Sequence, residues 1–183
     1  MKTFKQFLTE SKKEVYEASD DKFDRYSKDI APYLPNKKYK KGEFGYWWVI
    51  EKGNKDIENE IYKGDIYCDD NDLTSLKGCP KEVKGDFDCS WNKLTSLKGA
   101  PQKVSEGFYC QGNKLTSLEG APKEVGGYFD CSDNKLTSLK GMPKKIGGEF
   151  NCTSNNKLFH IDNYVAGVVG ADIWSDDWNW DEE

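Results

Sequence analysis

Long apolar runs are missing from this 183-residue chain. No stretch approaches the roughly 20 apolar residues of a membrane span, and the longest near the C-terminus, residues 165–171, is short and broken by glycine. The opening MKTFKQFLTES lacks the apolar core of a secretory signal. The chain is therefore expected to stay off the membrane and inside the cell that makes it, with its six cysteines reduced by default. Histidine is nearly absent: His160 is the only one. No Ser/His/Asp set, phosphate-binding glycine loop or zinc motif can be assembled, so neither enzymatic activity nor a cofactor is expected. Positive charge is in deficit as well. A formal charge of −5 argues against nucleic acid as the main partner. Yet the chain is 14% aromatic, which excludes ordinary disorder.

What is present is repetition. Four stretches are nearly identical: LTSLKGCPKEVKGDFDCSWNK (73–93), LTSLKGAPQKVSEGFYCQGNK (94–114), LTSLEGAPKEVGGYFDCSDNK (115–135) and LTSLKGMPKKIGGEFNCTSNNK (136–157). An incomplete copy, YKGDIYCDDND (62–72), leads in. The common pattern is L-T-S-L-x-G-x-P-x-x-V-x-x-x-F-x-C-x-x-N-K, with a period of 21. In a strand, side chains alternate, so Phe and Cys of each Phe-x-Cys share a face. The asparagines suit a tight turn in which the amide bonds nearby backbone. The leucines and Val or Ile supply further inward groups, and Gly and Pro bend the return path. One copy buries too few apolar side chains to offset the ordering of its own backbone. Copies must stack, which is the logic of a solenoid. After Cys152 the sequence reads TSNNKL, one residue longer than its predecessors, and a break in register is expected there.

The pattern L-x-x-L…F-x-C-x-x-N-x-L resembles a leucine-rich repeat, and LTSLxGxPxxV resembles the short bacterial and bacteriophage variety. The resemblance spans residues 62–157. It implies a leucine-rich repeat solenoid, with short parallel β-strands on a concave face and an irregular convex side. In that frame cysteine takes an inward position, and a row of buried thiols is expected rather than a metal site. Zinc sites use close pairs converging on a point, and Cys89, Cys110, Cys131 and Cys152 are 21 residues apart.

Alternation also identifies what points outward. The candidate binding residues are Tyr67, Asp69, Asp86, Asp88, Tyr109, Gln111, Tyr128, Asp130 and Asn151, with Trp91 at the edge as an anchor. Ser90 and Ser132 are expected outward with them. No lysine or arginine falls in this set. The lysines lie elsewhere, predicting an acidic, aromatic sheet face and a basic rim and back. Repeat proteins commonly bind along the sheet, and a basic protein segment is the expected partner.

The ends differ from the repeats. Residues 1–41 read as a small helical region, with Phe4, Phe7, Leu8 and Val15 on one helix face. Residues 42–61 read as an N-terminal cap, within which 42–54 looks like a strand and turn. Residues 158–183 read as a C-terminal cap followed by an acidic, Trp-rich tail, with Trp174 assigned to the cap. The opening decapeptide resembles the capsid-targeting peptides of large tailed bacteriophages, which a prohead protease removes after a Leu/Ile-x-Glu tripeptide. Here that tripeptide is Leu8-Thr9-Glu10, and cleavage would leave Ser11 first. This resemblance implies a structural or internal virion protein with a phage capsid or scaffold as partner, as the alternative to a binding module in the host cytoplasm.

Overall fold

Repeats of identical length and pattern stack with every backbone donor opposite the same acceptor one turn away. The computed structural model describes residues 39–52, 57–156, 158, 167–170 and 172–175, and the side chains of 49–52 and 174 lie outside that description. Strands β1 (Ile61–Tyr62), β3 (Glu82–Val83), β5 (Lys103–Val104), β7 (Glu124–Val125) and β9 (Lys145–Ile146) form one sheet in that order. Strands β2 (Ile66–Tyr67), β4 (Phe87–Asp88), β6 (Phe108–Tyr109), β8 (Phe129–Asp130), β10 (Phe150–Asn151) and β11 (Ile173–Trp174) form the other. All these pairings are parallel, and within the repeats each joins residues 21 apart, as in Phe87 with Phe108 and Phe108 with Phe129. The chain is a parallel β-solenoid of about four turns with little helix among the described residues.

The second sheet departs from the irregular return path expected of it. Its backbone has the same need for partners as the first. In-register stacking supplies them: Lys84 N–H donates to Tyr62 C=O and Ser105 N–H to Val83 C=O, at 2.8 and 2.9 Å.

Between the sheets each repeat position becomes a column. The Phe87, Phe108, Phe129 and Phe150 rings follow one another at 5.6, 5.6 and 5.5 Å. Beside them run Val83, Val104, Val125 and Ile146, the leucine pairs, and the cysteines, all essentially inaccessible to solvent. The six thiols are buried and unbridged. Burial pushes Cys68, Cys79, Cys89, Cys110 and Cys131 well above the ordinary thiol range. Four S–H groups reach a carbonyl one turn ahead, for example Cys89 Sγ to Tyr109 C=O at 3.3 Å.

Residues Phe44–Lys52 form a helix, α1, where a strand and turn were expected. The run Tyr46-Trp47-Trp48-Val49-Ile50 has strand-forming letters, but Phe44 and Trp48 stand four apart on one helical face. Both are buried. Phe44 meets Phe87 at 6.0 Å, and Trp48 meets the Tyr62 ring edge-on at 5.2 Å. The helix covers the open end of the column, which a strand continuing the sheet would have re-exposed.

At the other end Leu158 is buried, while Val168, Val169 and Ile173 pack against the core. The expected register break is displaced: Asn155 keeps the asparagine position and the extra residue, Asn156, follows it. The expected helices within 1–38, the processing residues Leu8, Glu10 and Ser11, His160 and the tail from 176 lie outside the described residues.

Candidate functional site: an acidic, aromatic sheet face

The turn after each cysteine sets the edge of this face. Asn113 shows how it is built: Nδ2 donates to Cys89, Cys110 and Gln111 C=O at 3.0, 3.1 and 3.4 Å, and Oδ1 accepts Leu94 N–H at 2.9 Å. Asn92, Asn134 and Asn155 repeat the arrangement. The residue just before each asparagine is driven into the left-handed backbone region: Asp70, Trp91, Gly112, Asp133 and Ser154 all have φ between 49° and 67°.

A tryptophan there is unusual, because bulky side chains disfavour that conformation. Trp91 is 58% exposed, and its ring lies against the next corner. A Cβ on Gly112 would fall within 2.4–2.8 Å of Trp91 ring atoms, so only glycine accommodates the ring.

Across the strands one outward row reads Tyr67, Asp88, Tyr109, Asp130, Asn151 in strict register. Tyr67 is 56% exposed. Tyr109 folds over Gly107 and stands 5.9 Å from Tyr128. Burial, followed by Asp86 and Asp88, raises the Tyr109 hydroxyl, while Asp65 leads in raising Tyr67. Burial and then Asp130 push Tyr128 up to about 12. All three therefore remain hydroxyl donors at neutral pH.

Several carboxylates expected to point at a partner are used by the fold. Asp88 Oδ1 accepts Ser90 N–H at 2.9 Å and the Ser90 hydroxyl at 2.5 Å. Asp130 does the same with Ser132, and also accepts from Tyr128 Oη and Asn151 Nδ2 at 3.3 Å. Asn151 holds Thr153. Ser90 and Ser132 are consequently buried rather than outward, because each strand is two residues long and the chain turns in directly after Cys. Asp130 is only 9% exposed. Asp86 Oδ1 caps Gly107 N–H at 2.7 Å, and Asp69 is exposed. The signal for this role was legible: D-C-S at 88–90 and 130–132, and N-C-T at 151–153, each place a hydroxyl two residues after an Asx. Gln111, expected outward with the candidate binding residues, instead has its Oε1 buried without a hydrogen-bond partner among the described residues.

The two sheets differ in how they handle charge. On the β3–β9 sheet the register row reads Glu82, Lys103, Glu124, Lys145. Lys103 meets Glu124 at 2.7 Å, which raises the amine and lowers the carboxyl. Lys84–Glu82 and Lys140–Glu119 add pairs at 2.6 and 2.7 Å. Lys81, Lys123, Lys144 and Lys145 form no ion pair with a described residue, so the back keeps the lysine excess expected of it, interleaved with Glu82 and Glu124. On the Tyr/Asp face, Asp65, Asp69, Asp86, Asp88 and Asp130 form no ion pair with a described residue. One side carries the lysines, two of them paired within its sheet, and the other carries none.

Comparison with protein-family models, with curated proteins and with solved structures returns no match. No helix of the described residues is long and apolar enough to cross a membrane.

Proposed function

We propose that this chain is a non-enzymatic protein-binding solenoid whose acidic, aromatic sheet face engages a basic segment of another protein. The observation that carries this reading is the contrast between the faces: the lysines gather on one sheet, with Lys84 and Lys103 paired to Glu82 and Glu124, and none stands on the other. Uncompensated charge of one sign beside exposed aromatic rings suits a cationic partner, with charge guiding encounter and rings anchoring it. Trp91 and Tyr67 are the anchors, since both rings are more than half exposed. The double replacement of Asp88 and Asp130 by lysine is a poor probe, because both carboxylates hold backbone.

The probe is a lysine-rich peptide, compared with an acidic peptide of equal length and monitored by calorimetry at two salt concentrations. The basic peptide is expected to bind in a salt-sensitive manner, and Trp91→Asn, which suits the left-handed backbone, is expected to weaken it about tenfold. Equal behaviour of the two peptides, or an unchanged Trp91→Asn, overturns the reading.

The buried Leu pair, Phe, Cys and bonded Asn in each turn support assignment to the short leucine-rich repeats of bacteria and bacteriophages. A second reading, an internal virion protein cleaved after Glu10, rests on Leu8-Thr9-Glu10, the one Leu/Ile-x-Glu tripeptide of the chain. Terminal sequencing of the protein from purified particles checks it: a start at Ser11 supports packaging and cleavage, and intact chains alone refute cleavage.

A further inference from the structure

The sheet of the Tyr/Asp face is finished differently at its two ends. At the last turn a segment from outside the repeats joins it as β11, parallel to β10, and Phe150 N–H donates to Asp172 C=O at 2.9 Å. At the first turn β2 is the outermost strand. Ile66 and Cys68 N–H donate inward to Asp86 and Asp88 C=O at 2.9 and 2.8 Å. Backbone groups of a strand point to alternate sides, so the N–H and C=O of Tyr67 face the outer edge, where no described group bonds them. Helix α1 leaves them open, since its first N–H groups go to Ser75 and Lys77 C=O instead. Side chains along this edge alternate too: Asp65, Tyr67 and Asp69 are exposed, while Ile66 and Cys68 are buried. Asp65 Oδ1 accepts Asp86 N–H at 2.9 Å. Neither Asp65, Asp69 nor the exposed Asp70 is ion-paired with a described residue.

We propose that the free edge of β2 takes an extended segment of a partner protein as an added strand, with an apolar residue against Tyr67 and a cation two residues to either side. The proposal rests on the basic-segment reading above and adds to it where the segment sits and in what conformation. Main-chain pairing supplies affinity in this mode, and alternate side chains choose the partner. Same-side residues recur every ~6.6 Å along any extended strand, so an occupant beside β2 keeps step with its outward groups. Cations four residues apart then stand beside Asp65 and Asp69, and the residue midway between them lies on the Tyr67 ring. The sheet already accepts a strand of unrelated sequence at its other edge, as β11.

The test uses the full chain and a peptide of Lys-Thr-Val-Thr repeats in three forms: unmodified, backbone N-methylated on its threonines, and backbone N-methylated on its lysines and valines. In an added strand one set of methyl groups points at β2 and blocks pairing, and the other points away. One methylated form is expected to bind as the unmodified peptide does, and the other at least about tenfold more weakly. Tyr67→Pro removes the free N–H without breaking a ladder bond. It is expected to weaken the unmodified peptide more than Tyr67→Ala does, with the circular dichroism of both variants unchanged. Equal weakening by the two methylation patterns, or none by either, overturns the edge proposal and leaves the basic-segment reading standing. Failure of the unmodified peptide while a lysine-rich peptide still binds does the same. Failure of both peptides removes both.

Discussion

Asn92, Asn113, Asn134 and Asn155 hold the same post in successive turns, and at this scale they bear more of the fold than the cysteines do. Each closes its own corner and ties it to the turn before, through a three-acceptor amide and an accepting oxygen. Asn113→Ala strands carbonyls of Cys89 and Cys110 in the interior, where each unmet polar group costs about 1–3 kcal/mol. A loss of at least about 3 kcal/mol in urea unfolding is the expected outcome. Trp91 is the opposite case, a residue held in a backbone region that its size disfavours. Trp91→Asn should leave stability unchanged or slightly improved while weakening binding, a separation that a purely structural tryptophan would not show. The tyrosines give a pH dependence. Tyr128 titrates about two units higher folded than its ordinary 10.0, so its neutral form is favoured by the fold. That contribution is complete below pH 10 and disappears as pH rises towards 12. The raised Tyr67 and Tyr109 hydroxyls and the buried thiols act in the same direction. Urea midpoints should therefore fall steadily on the alkaline side, and phenolate absorbance should appear later than in the unfolded chain.

Elements of two residues cannot be stable alone, and each strand here exists because the turns on either side of it are already paired. The ends matter most for that reason. Helix α1 closes one end by laying Phe44 and Trp48 on the column headed by Phe87. Phe44→Ala removes a fully buried ring from this lid and should destabilise by about 3–5 kcal/mol, with hydrogen exchange rising first in the β2 and β4 turns. Exchange rising evenly along the solenoid would contradict a capping role. The helix was illegible as such because aromatic and β-branched letters favour strand in isolation. The decision came from the surface available to bury against, which no local window contains. The second sheet was hidden for a related reason: Glu82-Val83 and its successors look like ordinary return path until they are stacked on copies of themselves.

At the scale of the whole molecule the repeat length is the controlling quantity. Every pairing within the repeats, on both sheets, joins residues 21 apart. Removing residues 94–114 takes out one complete turn and restores register, so the shortened chain should fold with the same circular dichroism shape and a lower melting temperature. Removing 94–113 shifts all later positions by one and turns the Phe and Cys columns outward; this chain should fail to fold cooperatively. A one-turn-shorter chain that is equally disordered would refute stacking in register as the source of stability. The same stacking produces the two contrasting surfaces. Glu and Lys alternate in register on one side, where Lys103 pairs with Glu124 of the next turn, and Tyr and Asp on the other leave a negative, ring-studded face.

Period, inward columns and the outward identity of Tyr67, Asp69, Tyr109 and Trp91 followed from the amino-acid sequence by itself, because an exact repeat forces every position to meet its own copy. What only the tertiary structure decided was which outward groups remain available. Asp88, Asp130 and Asn151 turn back to hold Ser90, Ser132 and Thr153, Gln111 loses its partner to burial, and Trp91 comes to rest on Gly112. Those outcomes depend on distances between turns and on a strand only two residues long, quantities that pattern cannot express and packing sets.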